Sequence, residues 1–489
     1  MKSISAVIAM LVTGVLSTAV SPRAFAQGSS PEVFSLRRSL ETALGNSDEI
    51  RAAEAGLQVA NQQVREAWSS VLPDVRFSAS YTRNLKVPVA FLPAIILDPN
   101  ADPNELIPVR FGADNAWSAG LVLDQPIFEA QAFIGVSTAG RFREVEVERL
   151  RGVSQQVVSL VRRAYFNALV ADEDLRRLTE SVRRITETLA ETRALNRAGL
   201  TSSYDVLRFE VQLANQEAQV TRAANTVAET RRLLLVELGM DPSQPIELLG
   251  SFIEMDLDDL AGNTRANQEM LELAGALGAE NTDFEELLQM AGVFRTDLRQ
   301  LRGAVDLDEA RLAVQRAEFY PTLSLFSNWS IQAQENGSLS FFQNSATSTV
   351  AGLRVEVPLF TGFARFARVE QAKATVAQTE ARLARAEREA IEQVQTFHNN
   401  VIESRQRANS QRAAVAQAQR GFEIATAEYR AGIGSQLQVT DADLALRTSE
   451  FNYAQAVFDY LTARSLLDLA LGTAPAVVGD VVQTLGDRQ

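Results

Sequence analysis

Residues 197–200 read Arg-Ala-Gly-Leu, and residues 430–433 read Arg-Ala-Gly-Ile, 233 positions further along the chain. Each of these short sequences interrupts a stretch of 115 residues without proline, at 127–241 and at 359–473. Glycine readily takes the left-handed conformation that ends a helix. Each stretch is therefore predicted to hold one long helix that stops at the glycine and a second helix that returns.

Small and apolar side chains recur along both stretches at a spacing between the coiled-coil and straight-helix values. A helix from Thr138 to Ala198 would span roughly 90 Å at the usual rise per residue. This length is typical of a structure that crosses a compartment rather than of a globular core. The predicted helical hairpins cover residues 128–238, with a tip near 199, and residues 362–471, with a tip near 432.

The chain also contains an internal repeat. Gln-Pro-Ile-Phe at 125–128 matches Val-Pro-Leu-Phe at 357–360, and Pro73 matches Pro321 further upstream. Repetition of several landmarks in the same order indicates a tandem duplication. The predicted parts are a first repeat at 27–240, an acidic linker or equatorial region at 241–290, a second repeat at 291–473 and a C-terminal tail at 474–489.

Alternating apolar and polar residues precede each helical hairpin, which predicts β-hairpins at 75–124 and 322–357. The first contains a proline-rich segment, 84–115, that is predicted to be a loop because proline interrupts sheets. Strands of about ten residues with one apolar and one polar face are typical of a membrane barrel. A soluble two-sheet hairpin fits the same alternation.

Four strands are too few to close a barrel, since single-chain barrels begin at about eight. Open strand edges are not tolerated in lipid. A membrane location would therefore require an oligomer. Aromatic residues on the strands, Tyr81, Trp117 and Trp329, are then expected at the membrane interface.

Composition excludes several classes of protein. The chain of 489 residues has a net charge of −14, one histidine, His398, and no cysteine. It cannot form disulfides, thiolate metal sites or a multi-histidine centre. The acidic balance argues against nucleic acid as a partner. There is no glycine-rich phosphate loop and no catalytic constellation, so we expect neither an enzyme nor a bound cofactor or metal.

The first residues predict export. Residues 1–26 combine Lys2, an apolar run and the small-residue sequence Ala-Phe-Ala at 24–26, which is the pattern of a cleaved signal peptide. The following residue, Gln27, is not the cysteine that a lipid anchor requires. No later run of apolar residues reaches the length of a membrane-spanning helix.

Together these features resemble the outer-membrane efflux protein family, the TolC-like exit ducts of Gram-negative bacteria. The resemblance rests on Pro-Leu-Phe-Thr-Gly at 358–362, its partner at 126–128, and the two Arg-Ala-Gly tips. It implies an α+β fold of long helical hairpins and a homotrimer whose four strands per chain form a 12-stranded barrel. Most of the mass would lie in the periplasm. The resemblance also implies docking onto a periplasmic adaptor and an inner-membrane pump or secretion ATPase, with the duct acting as a passive conduit in outer-membrane lipid.

The family's periplasmic gate transfers onto particular residues of this chain. An aspartate–tyrosine contact between neighbouring helices maps onto Asp205 and Tyr429, and an acidic ring at the entrance maps onto Asp441, with Asp443 nearby. Each residue also has a simpler interpretation: Tyr429 lies on the helical seam, and Asp205 is an acid at a helix N-terminus.

The chain departs from the family pattern close to the second tip. The archetype has a basic residue where this chain has Gly434 and an acid where it has Gln438. The resemblance further implies that the tips meet the adaptor, although the same residues also serve turn formation. These tip residues are Gly199, Leu200, Gly432 and Ile433.

The sequence alone leaves a second interpretation open. The chain could be a periplasmic coiled-coil adaptor or scaffold without a pore, since such proteins also use long helical hairpins. Two-faced strands that carry Trp117 and Trp329 favour the duct, because such adaptors have short soluble barrels instead.

Overall fold

In the computed structural model the described residues are 31–96, 99, 102, 104–259, 261–337 and 345–473. The predicted signal peptide and C-terminal tail lie outside them. In chain order the strands and helices are β1 Glu32–Phe34, α1 Leu36–Asn46, α2 Asp48–Ser69, β2 Asp74–Arg83, β3 Val89–Pro93, β4 Leu106–Arg110, β5 Asn115–Phe128, α3 Ala130–Arg197, α4 Ser203–Glu237, β6 Ile246–Leu248, α5 Arg265–Leu273, α6 Phe284–Phe294, α7 Thr296–Ala317, β7 Thr322–Glu335, β8 Ser345–Glu356, α8 Ala364–Arg430 and α9 Gln436–Leu471.

Two long helical hairpins dominate the fold, as the proline-free stretches predicted. Helix α3 has 68 residues and returns through α4, and helix α8 has 67 residues and returns through α9. Each long helix spans about 100 Å. Helix α3 also contacts α2, α7 and α9, so the two hairpins lie side by side. The predicted fold class, long helical hairpins joined to a small number of strands, is confirmed. Within the described ranges, no helix combines the length and the apolar character needed to cross a membrane.

The main core lies midway along the hairpins, where the acidic linker wraps around them. Phe166 of α3 packs against Phe252 of the linker with ring centroids 6.3 Å apart. The neighbouring Tyr165 is buried, and its hydroxyl donates to the carbonyl oxygen of Leu249 at 2.6 Å. His398 of α8 stacks on Phe284, consistent with a structural histidine.

The acidic linker is held to α8 by ion pairs. Asp256 is 2.5 Å from Arg412, and Asp258 is 3.3 Å from Arg405. Arg405 also contacts Glu280 at the far end of the linker. The carboxylates that make this segment acidic therefore serve partly to fasten it around the helix.

The four long strands form one antiparallel sheet in the order β2-β5-β7-β8. The registers place Tyr81 opposite Trp117, Leu121 opposite Trp329, and Leu325 opposite Leu353. Because side chains alternate between the faces of a strand, these pairs put one apolar face on the whole sheet. Its apolar members are Val75, Phe77, Ala79, Tyr81, Trp117, Ala119, Leu121, Leu123, Leu323, Leu325, Trp329, Ile331, Ala333, Ala351, Leu353 and Val355, and the same face also carries Gln125, Ser327, Ser345, Thr347 and Thr349.

The segment predicted as a plain proline-rich loop, 84–115, contains secondary structure of its own. Strand β3 pairs with β4 in a two-stranded sheet, with Phe91 opposite Pro108. The prediction of a loop did not include this ribbon. Proline fits here because both strands are edges, and proline is tolerated where no ladder donor is needed.

Candidate functional site: helical tips and the open sheet

Both tips have the same backbone conformation and the same closing hydrogen bond. Gly199 and Gly432 have φ angles of +73° and +75°, the left-handed region that costs glycine little. After each glycine the next amide closes the helix end: Leu200 donates to Leu195 and Ile433 donates to Glu428. The side chains of Leu200 and Ile433 are 75% and 81% exposed, so each tip presents one apolar residue to its surroundings.

Tyr429, in the last turn of α8, connects three helices. Its hydroxyl lies 3.0 Å from Oγ1 of Thr192 on α3, and its ring packs edge-on against Phe209 of α4. The side chain is buried in a small apolar cluster of its own, separate from the main core. Tyr429 therefore holds the end of the second hairpin against the first.

Asp205 lies in the first turn of α4, where a carboxylate is favoured by the helix dipole. Its Oδ2 accepts a hydrogen bond from the Thr201 hydroxyl at 2.9 Å. Within one chain the structure thus gives Asp205 and Tyr429 different partners. A contact between them would have to form between copies.

Asp441 and Asp443 differ in environment although they are two residues apart. Asp441 is exposed on α9. The Asp443 carboxylate is buried, with Arg184 of α3 at 3.0 Å and Arg447 of α9 at 2.9 Å, and the Ser181 hydroxyl donates to it. Within the chain two guanidinium groups therefore enclose Asp443, whereas Asp441 is open to its surroundings.

This charged cluster of Asp443, Arg184 and Arg447 is absent from the sequence interpretation. The four-residue spacing from Asp443 to Arg447 is a visible signal, since side chains at that spacing meet on a helix. Arg184 could not be found in this way because α3 is more than 250 residues away in sequence.

The departures from the family pattern have a local explanation. A side chain at Gly434 would bring its Cβ within 2.8 Å of the Tyr429 backbone nitrogen, so a basic residue does not fit this turn without a shift. Gln438 completes a capping box with Ser435: each side chain bonds the other's backbone N–H. The turn before α9 is therefore built for helix capping in this chain.

The aromatic residues of the sheet also occupy different environments. Tyr81 and Trp329 are exposed on the apolar face. Trp117 lies on the same face but is only 5% exposed, with its ring 5.5 Å from that of Tyr81. Tyr81 and Trp329 are therefore open to their surroundings within the chain, whereas Trp117 is enclosed.

An exposed aromatic cluster that was not predicted from the sequence lies where β8 leads into α8. Phe360, Phe363 and Phe366 pack on one another with ring centroids 5.4 and 6.4 Å apart. Phe363 has a φ of +63°, which is uncommon for a bulky residue. The signal was present in the three-residue spacing of the phenylalanines, of which Phe360 lies within Pro-Leu-Phe-Thr-Gly and Phe363 and Phe366 follow it.

Long hairpins, apolar-faced strands with free edges and apolar tips together define an outer-membrane channel with a periplasmic extension. The sequence matches the family described as "Outer membrane efflux protein" over residues 39–239 and 287–473. The chain belongs to this family of channel proteins, and its location is the outer membrane.

Similar proteins include the outer membrane protein TolC of Escherichia coli, 22% identical over 440 residues, which cover 88% of this chain and 80% of TolC. The alkaline protease secretion protein AprF of Pseudomonas aeruginosa is 24% identical over 73% of this chain and 70% of its own length. Among solved structures, the CmeC outer membrane channel of Campylobacter jejuni superposes with a TM-score of 0.70 at 15% identity, covering 94% of this chain and 93% of CmeC.

Proposed function

We propose that three copies of this chain form the exit duct of a tripartite efflux or type I secretion system. The observation that carries the proposal is the sheet with two free edges. Strand β2 is exposed at every residue and β8 at all but one. Exposed edges on an apolar-faced sheet cannot remain unpaired in lipid.

Pairing β8 of one copy with β2 of the next satisfies both edges. The two strands run in opposite directions, as antiparallel neighbours require, because each is antiparallel to its partner in the order β2-β5-β7-β8. Three copies would contribute twelve strands, the number that the resemblance to TolC-like ducts implies. The mainly polar face of the sheet, with Ser78, Ser118 and Asn328, would then line the channel.

The relatives' names divide between two transport tasks. AprF and PrtF are named as protease secretion proteins, and TtgC as a probable efflux pump outer membrane protein. We propose that this chain is a passive conduit for either small toxic compounds or polypeptides, with the cargo chosen by a periplasmic adaptor and an inner-membrane pump or secretion ATPase. The apolar tips at Leu200 and Ile433 are the surfaces we assign to the adaptor.

The experiment that tests the duct is expression with the amino-terminal segment intact, followed by separation of outer from inner membranes. An unheated and a heated detergent extract are compared on a gel, with native mass measured in parallel. We expect a heat-sensitive trimer in the outer-membrane fraction. A monomer or dimer in the soluble periplasmic fraction would contradict the proposal.

We further propose that Asp205 and Tyr429 belong to the closed periplasmic gate and that Asp441 contributes an acidic ring at its entrance. The exposure of Asp441, in contrast to the buried Asp443, supports this division of roles.

Asp441→Lys should weaken block of the channel by trivalent cations in planar bilayers, because three exposed carboxylates become three ammonium groups. Glu41→Lys, an exposed acid on α1, is the matched control and should leave the block unchanged. An unaltered block in the Asp441 variant would remove this residue from the entrance.

A further inference from the structure

The two-stranded hairpin β3–β4, between β2 and β5, has an exposed apolar face. The register places Val89, Phe91, Leu106 and Arg110 on one side of the ribbon, and all four are exposed. The opposite side, with Leu92, Ile107 and Val109, is partly buried. A hairpin in water normally turns its polar face outward. This one exposes apolar residues on one side and leaves those on the other side only partly buried.

The apolar surface extends beyond the two strands. Leu85 and Phe111, which flank the hairpin, are exposed, as are Ile95 and Ile96 in the turn that follows β3. Contiguous exposed apolar surface of this kind marks a contact with a partner or a membrane. Lys86 and Arg110 are exposed among these side chains, and the exposed acids Asp102 and Glu105 lie in the connection between the two strands.

The position of the hairpin indicates what covers it. On the apolar face of the sheet, Phe77 and Leu121 are exposed, whereas Trp117 and Ala333, nearer the end where the hairpin is attached, are buried. Ala94, at the end of the hairpin, is buried as well. The hairpin continues from this end of the sheet, where the Asn84 amide donates to the Asp114 carbonyl oxygen at 2.8 Å, so its exposed apolar residues extend the apolar surface beyond the outer ends of β2 and β5.

We propose that the hairpin β3–β4 lies in the interface of the outer leaflet, with Phe91 and Leu106 turned toward acyl chains and Arg110 toward anionic headgroups. This inference rests on the proposed function, because it assumes that the apolar face of the sheet contacts lipid. Aromatic and basic side chains with apolar stems are favoured at that depth.

The absence of cysteine makes the test direct, since a single introduced cysteine carries the only label. Phe91→Cys is labelled with a nitroxide, and the trimer is reconstituted in vesicles of phosphatidylethanolamine and phosphatidylglycerol. Collision rates with oxygen, which concentrates in lipid, and with a water-soluble nickel chelate are then measured. Leu277→Cys, exposed in the linker, is the aqueous control, and Phe77→Cys, exposed on the sheet, is the lipid control.

We expect the ratio of oxygen to nickel collisions at position 91 to exceed that at 277 several-fold and to approach that at 77. Leu106→Cys should give the same result, which guards against a local effect of one substitution. A water-like ratio at 91 with a lipid-like ratio at 77 would overturn the hairpin proposal and leave the duct intact.

Two other outcomes are equally decisive. Protection of position 91 from both reagents, with dipolar broadening between labels, would show a neighbouring copy on this face and overturn the lipid contact. A water-like ratio at position 77 would instead contradict the proposed function itself.

Discussion

At the scale of single residues, Asp443 shows how a buried charge joins helices that are distant in sequence. Its side chain is 4% exposed and lies between Arg184 and Arg447, whose side chains are 15% and 11% exposed. Arg184 also lies over the ring of Phe422 on α8, with its guanidinium carbon 5.4 Å from the ring centroid. One carboxylate therefore fixes two arginines and, through them, the relative positions of α3, α8 and α9.

Asp443→Asn should destabilise the helical hairpins by roughly 3 kcal/mol, because it leaves two enclosed guanidinium groups without their counter-charge. Thermal melting followed by circular dichroism at the helical band measures the effect. Asp441→Asn, two residues away and exposed, is the control and should melt like the unmodified protein. Equal melting of the two variants would show that the pairing contributes nothing.

Tyr429→Phe should raise the conductance of the closed channel in planar bilayers. It keeps the ring against Phe209 but removes the hydrogen bond to Thr192, which is worth about 1 kcal/mol. That energy corresponds to roughly a fivefold shift toward the open state. Thr192→Val should have the same effect and Thr186→Val, exposed on the same helix, should have none.

Asp205→Ala should also raise conductance if its carboxylate contacts Tyr429 of a neighbouring copy. Trimer yield should be unchanged in all of these variants. Conductance that stays at the original level in both the Asp205 and the Tyr429 variants would remove the pair from the gate.

At the scale of elements, the acidic linker is fastened to α8 by contacts that depend on ionised carboxylates. The hydrogen bond from Arg412 is the main cause that lowers the pKa of Asp256 to about 2. A carboxyl group whose pKa is lower in the folded protein stabilises the fold above its unfolded pKa, about 3.9. This contribution is lost as the pH falls through the folded value.

Arg412→Gln should therefore lower the melting temperature slightly at pH 5 and above, and the difference should shrink between about pH 4 and pH 2. The effect is small because the pair is partly exposed to solvent. Arg420→Gln, an exposed arginine on the same helix, is the control. A difference that persists unchanged at pH 2 would show that Arg412 acts through packing rather than charge.

The long elements could be predicted from the sequence because their signals are local. The helices end at Gly199 and Gly432 for reasons of backbone conformation, and strand alternation depends only on neighbours in the chain. The burial of Trp117 and the pairing of Asp443 with Arg184 could not be predicted, since both depend on segments brought together by the fold. The β3–β4 hairpin was missed because Pro93 and Pro108 favour a loop unless the strands are edges.

At the scale of the whole molecule, a single chain leaves surfaces uncovered that are normally paired or buried. Its sheet has two exposed edges and an apolar face, and its helical hairpins end in exposed apolar residues at the opposite end of the long helices. In the proposed assembly, pairing between copies would satisfy the edges, lipid would cover the apolar face, and a docked adaptor would cover the tips. The proposed channel therefore depends most on the pairing of β2 of one copy with β8 of the next.

A cysteine cross-linking scan in the outer membrane tests that pairing most directly. Ser78→Cys on β2 is combined in turn with a single cysteine on the same, mainly polar face of β8, and the membranes are oxidised. The β8 positions are 346, 348, 350 and 352. The control is Ser80→Cys with Ser118→Cys, whose hydroxyl oxygens are 2.8 Å apart within one chain and which should form only an internal disulfide. We expect covalent dimers and trimers for at least one adjacent pair of β8 positions, and monomers alone throughout the scan would contradict the pairing of β2 with β8.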